Sequence, residues 1–327
     1  MVNDVNKVFG YNDFKDARGG TELMVSQLLK YVDNDLLSKF DIIVASPPQD
    51  FVRGDKPTIL YIHDWYSDPS FDILKNTRYQ NNFDYFVFVS YTQKELFRLK
   101  FGLPYYKCVV IKNAIEPTST FENIKWSKVE KIKILYSSSP HKGIHLAYEV
   151  FKEISKEFGD KVELNVYSNF ATYGKAHLSR NAPYESIFDE MKAHPQINYF
   201  GSVDHDVLLE ETKDQHIWFH PSTFPETSAI SLLEAASAEC LLVCNDLGAL
   251  PETSAGFGVM FKYDDDINKH AQNAYTSLFD SIHTIIEGKG NISQYVALQK
   301  IYFDTNYSWE KRAKEWEDLL NSFFVVG

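Results

Sequence analysis

Two glutamates stand eight residues apart in the segment FHPSTFPETSAISLLEAASAE, residues 219–239. Glu226 lies in a proline-containing loop, and Glu234 lies about two turns into a helix predicted over residues 228–238. The first backbone N–H groups of a helix have no partners inside it and favour an anion such as phosphate. Glu226 could accept hydrogen bonds from hydroxyls beside that phosphate, and Glu234 from a second polyol. A ligand with a sugar, phosphates and a ribose has this layout, whereas a helix cap and a solvated glutamate are the alternative.

The segment belongs to a long series of short apolar runs, and these predict the strands that must position the two glutamates. The runs are rich in β-branched and aromatic residues and lie at 41–46, 58–64, 85–90, 108–113, 131–138, 162–168, 197–202, 217–222, 241–246 and 257–262. Continuous apolar character is typical of strands buried on both faces of a parallel sheet. Between the runs, helical spacing appears over 21–32 and 144–158, and Thr92 and Glu95 stand in capping-box spacing. Strands alternating with helices predict an α/β fold.

Two features divide this series into two domains, as a chain of 327 residues leads us to expect. The polar, proline-marked segment 116–130 interrupts the alternation and predicts a linker. Near the C-terminus, Trp309, Ala313, Trp316 and Leu320 align on one face of a predicted helix. That helix must bury two tryptophans against a structure that has already formed.

The charge of the chain argues against a nucleic-acid partner. The net charge is −12, and residues 1–125 carry 15 basic and 16 acidic side chains, so the acidic excess lies in the remainder. Non-specific nucleic-acid binding needs basic surfaces that displace the counterions of phosphate groups. A weak peripheral membrane contact is left open, because a local basic surface on the nearly neutral half is compatible with these numbers. No apolar run approaches the roughly 18 residues of a membrane span, and no signal peptide is recognised, so we expect a cytoplasmic protein.

The cysteines and the acidic run do not indicate a metal site. Cys108, Cys240 and Cys244 cannot all pair, and the CLLVC segment has no His or Cys cluster beside it. We therefore expect buried free thiols. The acidic run YDDDI at 263–267 follows the last predicted strand and is interpreted as a solvated surface loop.

The residues around the two glutamates resemble the donor-binding signature of family 4 retaining glycosyltransferases of the GT-B fold. Members have Pro-Ser, a Glu, seven residues, a second Glu within Leu-Glu-Ala, an apolar strand, Gly, and Pro-Glu. The matching residues here are Pro221-Ser222, Glu226, Leu233-Glu234-Ala235, Gly248 and Pro251-Glu252. The resemblance implies two Rossmann-like β/α/β domains that face each other across a cleft, with the C-terminal helix returning to the first domain.

The resemblance extends over nearly the whole chain. RGGTE at 18–22 resembles the Gly-Gly loop at the head of the family's first helix, and KNAIEP at 112–117 resembles the segment that closes the first domain. YSSSPHKGIHLA at 136–147 resembles the first β/α turn of the second domain. YSWEKRAKEW, from residue 307, resembles the last helix.

These matches imply the domain boundaries. An acceptor-side domain is expected over residues 1–120, joined by the returning helix over 308–327. A nucleotide-sugar-binding domain is expected over residues 128–306.

The resemblance also implies roles for individual residues. Glu226 would bind hydroxyls of the donor sugar, Glu234 would bind the nucleotide ribose, and Lys142 would neutralise charge on the leaving diphosphate. Further donor-binding positions are Thr227, Ser228, Ala229, Ser138, Ser139, Gly19 and Gly20.

His63 is a further candidate, because it ends the predicted strand TILYIHD. The carboxyl ends of parallel strands are where α/β proteins bind ligands. Members of the family often have a His at this place, close to the donor sugar and the acceptor. A structural histidine bonded to a backbone group is the alternative.

The expected activity is hexosyl-type transfer from a nucleoside-diphosphate sugar to a glycan or other hydroxyl acceptor, with retained anomeric configuration and no metal or other cofactor. Two departures from the family pattern keep alternatives open. Residues 137–140 lack the Arg that many members use as a second diphosphate clamp, and Glu239-Cys240 replaces a small residue and Gly. The alternatives are an inactive GT-B scaffold and a nucleotide-sugar epimerase. A Rossmann dehydrogenase is disfavoured because no G-x-G-x-x-G follows a predicted strand.

Overall fold

The computed structural model describes residues 19–118 and 124–324 of the chain. The chain folds into two compact units. Of the described residues, the first unit contains 19–114, 226–228 and 307–324. The second unit contains residues 115–118, 124–225 and 229–306. Residues 226–228, which the sequence analysis assigned to the second domain, are therefore grouped with the first unit.

The first unit is built on a parallel sheet in the order β1-β2-β3-β4. Its strands are β1 Asp41–Val44, β2 Thr58–Ile62, β3 Tyr85–Phe88 and β4 Cys108–Val110. Its helices are α1 Gly20–Tyr31, α2 Asn34–Leu37, α3 Thr77–Gln80 and α4 Tyr91–Phe101, with 3₁₀ turns at Pro69–Lys75 and Tyr105–Lys107. Every residue of β2 is buried, which explains why its sequence is continuously apolar.

The second unit is built on a six-stranded parallel sheet in the order β10-β9-β8-β5-β6-β7. Its strands are β5 Ile132–Tyr136, β6 Val162–Val166, β7 Ile197–Tyr199, β8 Ile217–His220, β9 Leu241–Asn245 and β10 Val259–Phe261. All ten described strands lie within the ten predicted apolar runs, so the predicted α/β fold class is confirmed.

Helices cover the second sheet. They are α5 Ile124–Ser127, α6 Ile144–Phe158, α7 Glu185–Ala193, α8 His205–Lys213, α9 Ile230–Ser237, α10 Leu250–Thr253, α11 Ile267–Ile286 and α12 Ile292–Asn306. Turns of 3₁₀ type lie at Pro140–Lys142, Gly159–Lys161, Phe170–Tyr173 and Lys175–Tyr184. The predicted helix over 144–158 is confirmed at both ends, because Gly143 precedes it and Gly159 ends it.

The last helix, α13 Trp309–Ser322, belongs to the first unit and contacts α1 and α2 there. Its predicted apolar face is confirmed, because Trp309, Trp316 and Leu320 are all buried. The Trp309 ring stacks on Tyr31 with centroids 5.8 Å apart, and the Trp316 ring meets the Tyr61 ring edge-on at 5.0 Å. The helix thus completes the core of the first unit.

The predicted capping box at Thr92 and Glu95 is wrong. The helix α4 begins one residue earlier, at Tyr91, and Ser90 is its N-cap, accepting a hydrogen bond from the backbone N–H of Gln93. The Gln93 side chain accepts in turn from the N–H of Val89, the residue before the N-cap, so the two side chains satisfy two backbone N–H groups at this helix start.

The predicted linker 116–130 is partly a packed element of the second unit. Within it, α5 places the Lys125 ammonium against the backbone oxygen of Gln215, at 2.7 Å, and against that of Ala238. The Trp126 indole donates to the Glu239 carbonyl at 3.0 Å. The polar composition of the segment concealed two side chains that fold back onto this unit.

Of the three cysteines, Cys240 and Cys244 are buried free thiols, as expected. Cys108 is also free but is only half-buried, contrary to the expectation, on the edge strand β4. In the run YDDDI, Asp265 and Asp266 are exposed, and Asp266 caps α11 by accepting from the Asn268 N–H. Among the described residues, no group of three or more His, Cys, Asp or Glu side chains is arranged to hold a metal ion.

The first testable prediction concerns the packing of α13. Replacing the fully buried Leu320 with Ala should lower the free energy of unfolding by about 2–5 kcal/mol, because a cavity remains where the side chain was. Chemical denaturation followed by fluorescence measures this change. The control is Leu99→Ala in the same unit, where 82% of the residue is exposed and a change below about 0.5 kcal/mol is expected. Equal effects of both substitutions would contradict the packing described here.

Candidate functional site

The strand order of the second unit marks one position on its sheet as the place for a ligand. From β5 the chain proceeds outward through β6 and β7, and then returns to lay β8 on the other side of β5. The loops that follow β5 and β8 therefore leave the same edge of the sheet in opposite directions. Such a switch point opens a crevice at the carboxyl ends of the strands, where α/β proteins bind ligands.

The turn after β5 and the loop after β8 touch each other through Gly143. This glycine has φ +116°, and a Cβ added to it would lie 2.5 Å from the carbonyl oxygen of Pro221. Both the backbone conformation and the available space therefore require glycine. The contact fixes the turn that carries Lys142 against the segment that leads to Glu226.

Ser222 and Asn245 shape the loop after β8 from inside. The buried Ser222 hydroxyl donates to the Phe224 carbonyl at 2.7 Å and accepts from the Phe224 N–H at 3.2 Å. The side-chain amide of Asn245, on β9, donates to the Ser222 carbonyl at 2.5 Å and lies 3.2 Å from Nε2 of His270. The Pro-Ser of the signature thus builds the loop.

Lys142 lies at the end of a 3₁₀ turn beside an aromatic group. Its ammonium is 5.7 Å from the centroid of the Phe224 ring, a cation–π contact. The neighbouring His141 is half-buried and stacks on the Phe170 ring at 5.6 Å, with the Phe224 ring edge-on at 5.3 Å. His141 therefore belongs to an aromatic cluster within this turn. The aromatic contacts hold the whole turn in one position.

Two serines of this turn, Ser138 and Ser139, were predicted to bind the donor, and each forms a different hydrogen bond. The Ser139 hydroxyl is 2.6 Å from the hydroxyl of Tyr173, so it is already engaged by the segment after β6. Ser138 uses its carbonyl to accept from the Ser168 hydroxyl at 2.5 Å. The half-buried Ser138 and Ser139 thus lie in the turn with Lys142, where a cationic Arg is absent.

The amino end of α9 is where the predicted phosphate-binding N–H groups lie. The helix begins at Ile230, two residues later than predicted, with Ala229 as its N-cap. Its first backbone bonds run from the N–H groups of Leu232 and Leu233 to the Ala229 carbonyl, at 3.2 and 3.4 Å. The N–H groups that precede Leu232 have no partner inside the helix. No acidic side chain stands in the first turn, which suits an anion.

The carboxyl end of α9 is surrounded by cationic and amide groups, of which Lys300 and Gln299 are buried and Lys125 is half-buried. The Lys300 ammonium donates to the Ser237 carbonyl at 2.9 Å and pairs with Asp304 at 2.8 Å. Lys125 donates to the Ala238 carbonyl, and the Gln299 amide donates to the Ala236 carbonyl at 3.3 Å. These positive groups at the negative end of the helix dipole stabilise a helix that has no charged side chain at its start.

Glu234 is buried on α9 and is paired with a histidine. Only 8% of the residue is exposed, and its Oε1 lies 2.6 Å from Nε2 of His205, the first residue of α8. Burial lowers the pKa of His205, but the hydrogen bond and charge of Glu234 outweigh it, so the pKa lies above the ordinary value. Sequence reasoning missed His205, because 29 residues separate it from its partner and no motif includes it.

In the first unit, residues 226–228 contact the ends of other elements. The Thr227 hydroxyl donates to the His63 carbonyl at 2.9 Å, and the Asn113 amide donates to the Ser228 carbonyl at 2.9 Å. Glu226 is buried, with 5% of the residue exposed. These two hydrogen bonds fix the position of Thr227 and Ser228 relative to His63 and to Asn113, which follows β4.

His63 was predicted to end the strand, and in the structure it is the first residue after β2. Among the described residues its Nε2 is buried and has no hydrogen-bond partner, which is unusual for a polar atom in a protein interior. Burial lowers its pKa to about 3, so the imidazole is neutral at physiological pH. The ring packs against Tyr61 at 4.1 Å, and the Gln93 amide donates to the Asp64 carbonyl at 2.9 Å. The backbone on both sides of His63 is therefore held in place.

Gly19 and Gly20 stand at the amino end of α1, as predicted. Gly19 is the N-cap, in extended conformation, and its carbonyl accepts from the Leu23 N–H at 3.0 Å. Gly20 is the first helical residue and is exposed. Arg18, the first residue of the RGGTE segment, lies outside the described residues.

The fold and this geometry identify the architecture. Two α/β units with parallel sheets of four and six strands form the GT-B fold of glycosyltransferases. Residues 119–273, just under half of the chain, match the model of the family described as glycosyl transferases group 1. The match covers the turn after β5, the loop after β8 and the whole of α9.

Individual relatives are distant. A glycosyltransferase from Rickettsia africae is similar in structure with a TM-score of 0.65 and 14% identity, covering 97% of this chain and 84% of that one. HepE from Anabaena, solved with UDP-glucose, has a TM-score of 0.61 and 14% identity, covering 93% and 77%. A human phosphatidylinositol N-acetylglucosaminyltransferase subunit is 25% identical over 171 residues, 52% of this chain. The chain spans about a third of the length of that relative.

The comparisons support the glycosyltransferase class and leave the donor, the acceptor and the stereochemistry to be proposed. None of the helices within residues 19–118 and 124–324 has a stretch both long and apolar enough to pass through a bilayer.

The contact between Gly143 and Pro221 gives a second testable prediction. A non-glycine residue in a left-handed backbone conformation costs about 1–2 kcal/mol. Gly143→Ala should lower the free energy of unfolding by more than this amount, because the new methyl group also meets a backbone oxygen. Chemical denaturation measures the change. Gly102→Ala is the matched control, since Gly102 has φ +66° and no atom within 4 Å of an added Cβ. If the two substitutions cost the same, the close approach is not a real constraint.

Proposed function

We propose that the protein transfers a hexose from a nucleoside-diphosphate sugar to a hydroxyl group of a glycan or another acceptor, with retained anomeric configuration. The observation that carries this proposal lies in the second unit. The turn bearing Lys142 follows β5, the loop leading to α9 follows β8, and these neighbouring strands form the switch point of the sheet. A cation and a helix start on adjacent loops are the groups that a diphosphate needs.

Each donor-binding residue has a role that its surroundings support. The N–H groups of Ala229 and its neighbours Thr227 and Ser228 hold the diphosphate, and Lys142 stabilises the negative charge that develops as the glycosidic bond breaks. Glu234 binds the ribose, and Glu226 accepts from donor-sugar hydroxyls. Because Lys142 is a fixed cation, this scheme requires no metal ion or other cofactor.

The aromatic contacts around Lys142 bear on the missing arginine. Ser138 and Ser139 cannot compensate a double negative charge as a guanidinium does. The turn is instead kept rigid by Gly143 and by the stacking of His141 on Phe170, so Lys142 needs no reorganisation during the reaction. We infer that preorganisation of one cation replaces the second one.

In the first unit, Gly19, Gly20 and His63 have roles at the acceptor and at the donor sugar. The His63 imidazole is buried and neutral, and its Nε2 has no hydrogen-bond partner among the described residues. This nitrogen can therefore form a hydrogen bond with a sugar hydroxyl without first breaking another bond. The scheme uses no protein nucleophile. The leaving phosphate takes the proton of the acceptor hydroxyl on the same face of the sugar, which retains the configuration.

The third prediction tests the transferase directly. With UDP-, GDP- and ADP-sugars as a panel, release of one diphosphate should fall about 10²–10³-fold in Lys142→Met, because the leaving-group charge loses its stabilisation. Coupled assay of the released nucleotide measures the rate, and NMR of the product gives the anomeric configuration. Lys289→Met, at an exposed lysine, should keep full activity.

Several outcomes would contradict parts of this proposal. Nucleotide binding without any turnover in the wild type indicates an inactive scaffold, and interconversion of donors without an acceptor indicates an epimerase. Full activity in Glu226→Gln, or a trapped glycosyl adduct on that variant, would remove Glu226 from the donor site. Loss of activity after exhaustive chelation, restored by a divalent ion, would overturn metal independence.

We also propose a weak peripheral contact with anionic lipid through a basic aromatic surface on the first unit, defined by Tyr91, Leu99, Tyr105, Tyr106 and the cations among them. Tyr106 and Leu99 are 76% and 82% exposed. The Arg98 guanidinium lies 4.7 Å from the Tyr105 ring, and the Lys112 ammonium lies 5.7 Å from the Tyr91 ring. Residues 91–112 hold five basic and one acidic side chain in a chain of net charge −12. Exposed tyrosine rings with half-buried cations beside them suit a negatively charged interface.

The fourth prediction follows from this surface. The wild type should sediment with vesicles of phosphatidylglycerol and phosphatidylcholine, and less with phosphatidylcholine alone. Replacing both Leu99 and Tyr106 with Ser should reduce the bound fraction about fivefold, because each exposed side chain no longer enters the interface. Leu298→Ser, at an exposed leucine of the second unit, should leave binding unchanged. Equal binding to neutral vesicles, or no effect of the double variant, would overturn the proposed contact.

A further inference from the structure

His205 makes a short polar contact with Glu234, the glutamate predicted to bind the nucleotide ribose. The two residues lie on neighbouring helices of the second unit, α8 and α9, which pack against each other. The Nε2–Oε1 distance of 2.6 Å is that of a charge-assisted hydrogen bond. Glu234 is almost fully buried, whereas about a third of the His205 side chain is exposed.

This contact solves a physical problem that a ribose-binding glutamate has when no ligand is bound. A buried carboxylate without a partner either takes up a proton or turns toward another donor, and both changes remove it as an acceptor. His205 compensates its charge and occupies one oxygen. The second oxygen, Oε2, then keeps a defined direction, toward which vicinal hydroxyls can donate.

We propose that His205 is a positioning residue for nucleotide recognition, which holds the Glu234 carboxylate in the orientation that accepts hydrogen bonds from ribose hydroxyls. This inference rests on the proposed function, because it takes Glu234 as the ribose ligand. It adds a residue of α8, outside the resemblance to the family signature, to the determinants of donor specificity.

The charges around the imidazole give the proposal a pH dependence. Glu234 lies closest to the imidazole. Asp206, on α8, and Glu116, near the start of the second unit, add further negative charge. These carboxylates raise the pKa of His205 above its ordinary value, against the effect of burial. The ion pair is complete below the raised pKa and loses its charge as the pH rises through it. Preference for a ribose should therefore weaken toward alkaline pH.

The fifth prediction is tested by calorimetric binding of UDP, GDP and ADP, and of the 2′-deoxy form of whichever nucleotide binds. The wild type should prefer the ribonucleotide, and Glu234→Gln should abolish that preference. His205→Ala should weaken ribonucleotide binding about tenfold and change binding of the 2′-deoxy form less than twofold. His205→Gln should restore most of the preference, because its amide can donate to the same oxygen, and the restored preference should no longer vary with pH.

Matched controls separate positioning from a general loss of stability. His283→Ala removes a histidine that contacts Glu287 at 3.1 Å on the exposed surface of α11, and should change neither affinity. Thermal unfolding of each variant shows that the fold is kept. A structural role alone would weaken both nucleotides equally and would leave the pH dependence of the preference unchanged.

The outcomes distinguish this inference from the proposed function. If the wild type binds none of the three nucleotides and releases none from their sugars, the proposed function fails. If it binds a nucleotide with no preference for the ribose, or if His205→Ala keeps the preference that Glu234→Gln loses, then His205 has no positioning role. Tenfold selective loss in His205→Ala, with rescue by Gln, supports the role.

Discussion

The polarity of α9 is the constraint on which the candidate site depends. A helix of eight residues has a positive start and a negative end, and this chain treats the two ends in opposite ways. Around the end, Lys300, Lys125 and Gln299 satisfy carbonyl groups from inside the protein. At the start no acidic side chain stands in the first turn, and the proposed diphosphate would meet the N–H groups there. Burying lysines is costly unless they are fully bonded, and here burial itself lowers the pKa of Lys125.

The sequence predicted the elements well because burial on both faces leaves a direct signal. Each described strand lies within a continuous apolar run, and the stripe containing Trp309, Trp316 and Leu320 was visible at helical spacing. The ends of elements were less predictable. Both Thr92 and Ser90 can cap a helix, and only the strand that ends just before Ser90 decides between them. Patterns of neighbouring residues contain no information of that kind.

The parts of the site that could not be predicted are contacts between distant residues. Nothing near Glu234 in the chain indicates His205, and nothing near α9 indicates that Lys125, from a segment interpreted as a linker, caps its end. The rings that enclose His141, those of Phe170 and Phe224, likewise come from later loops, and the neighbours of His141 in the chain do not indicate them. Family resemblance supplied the residues proposed to face the ligand. It did not locate the residues that hold them.

The close approach of Gly143 to Pro221 has a consequence for how the protein can vary. With no side chain between them, two loops that leave different strands move as one rigid body, and neither can be lengthened near the contact without displacing the other. The segment after β6, by contrast, reaches the same turn only through the ends of side chains, at Tyr173 and Phe170. Insertions and substitutions that alter substrate preference should therefore accumulate in residues 169–184. The contact at Gly143 meanwhile keeps the distance between Lys142 and the start of α9 unchanged.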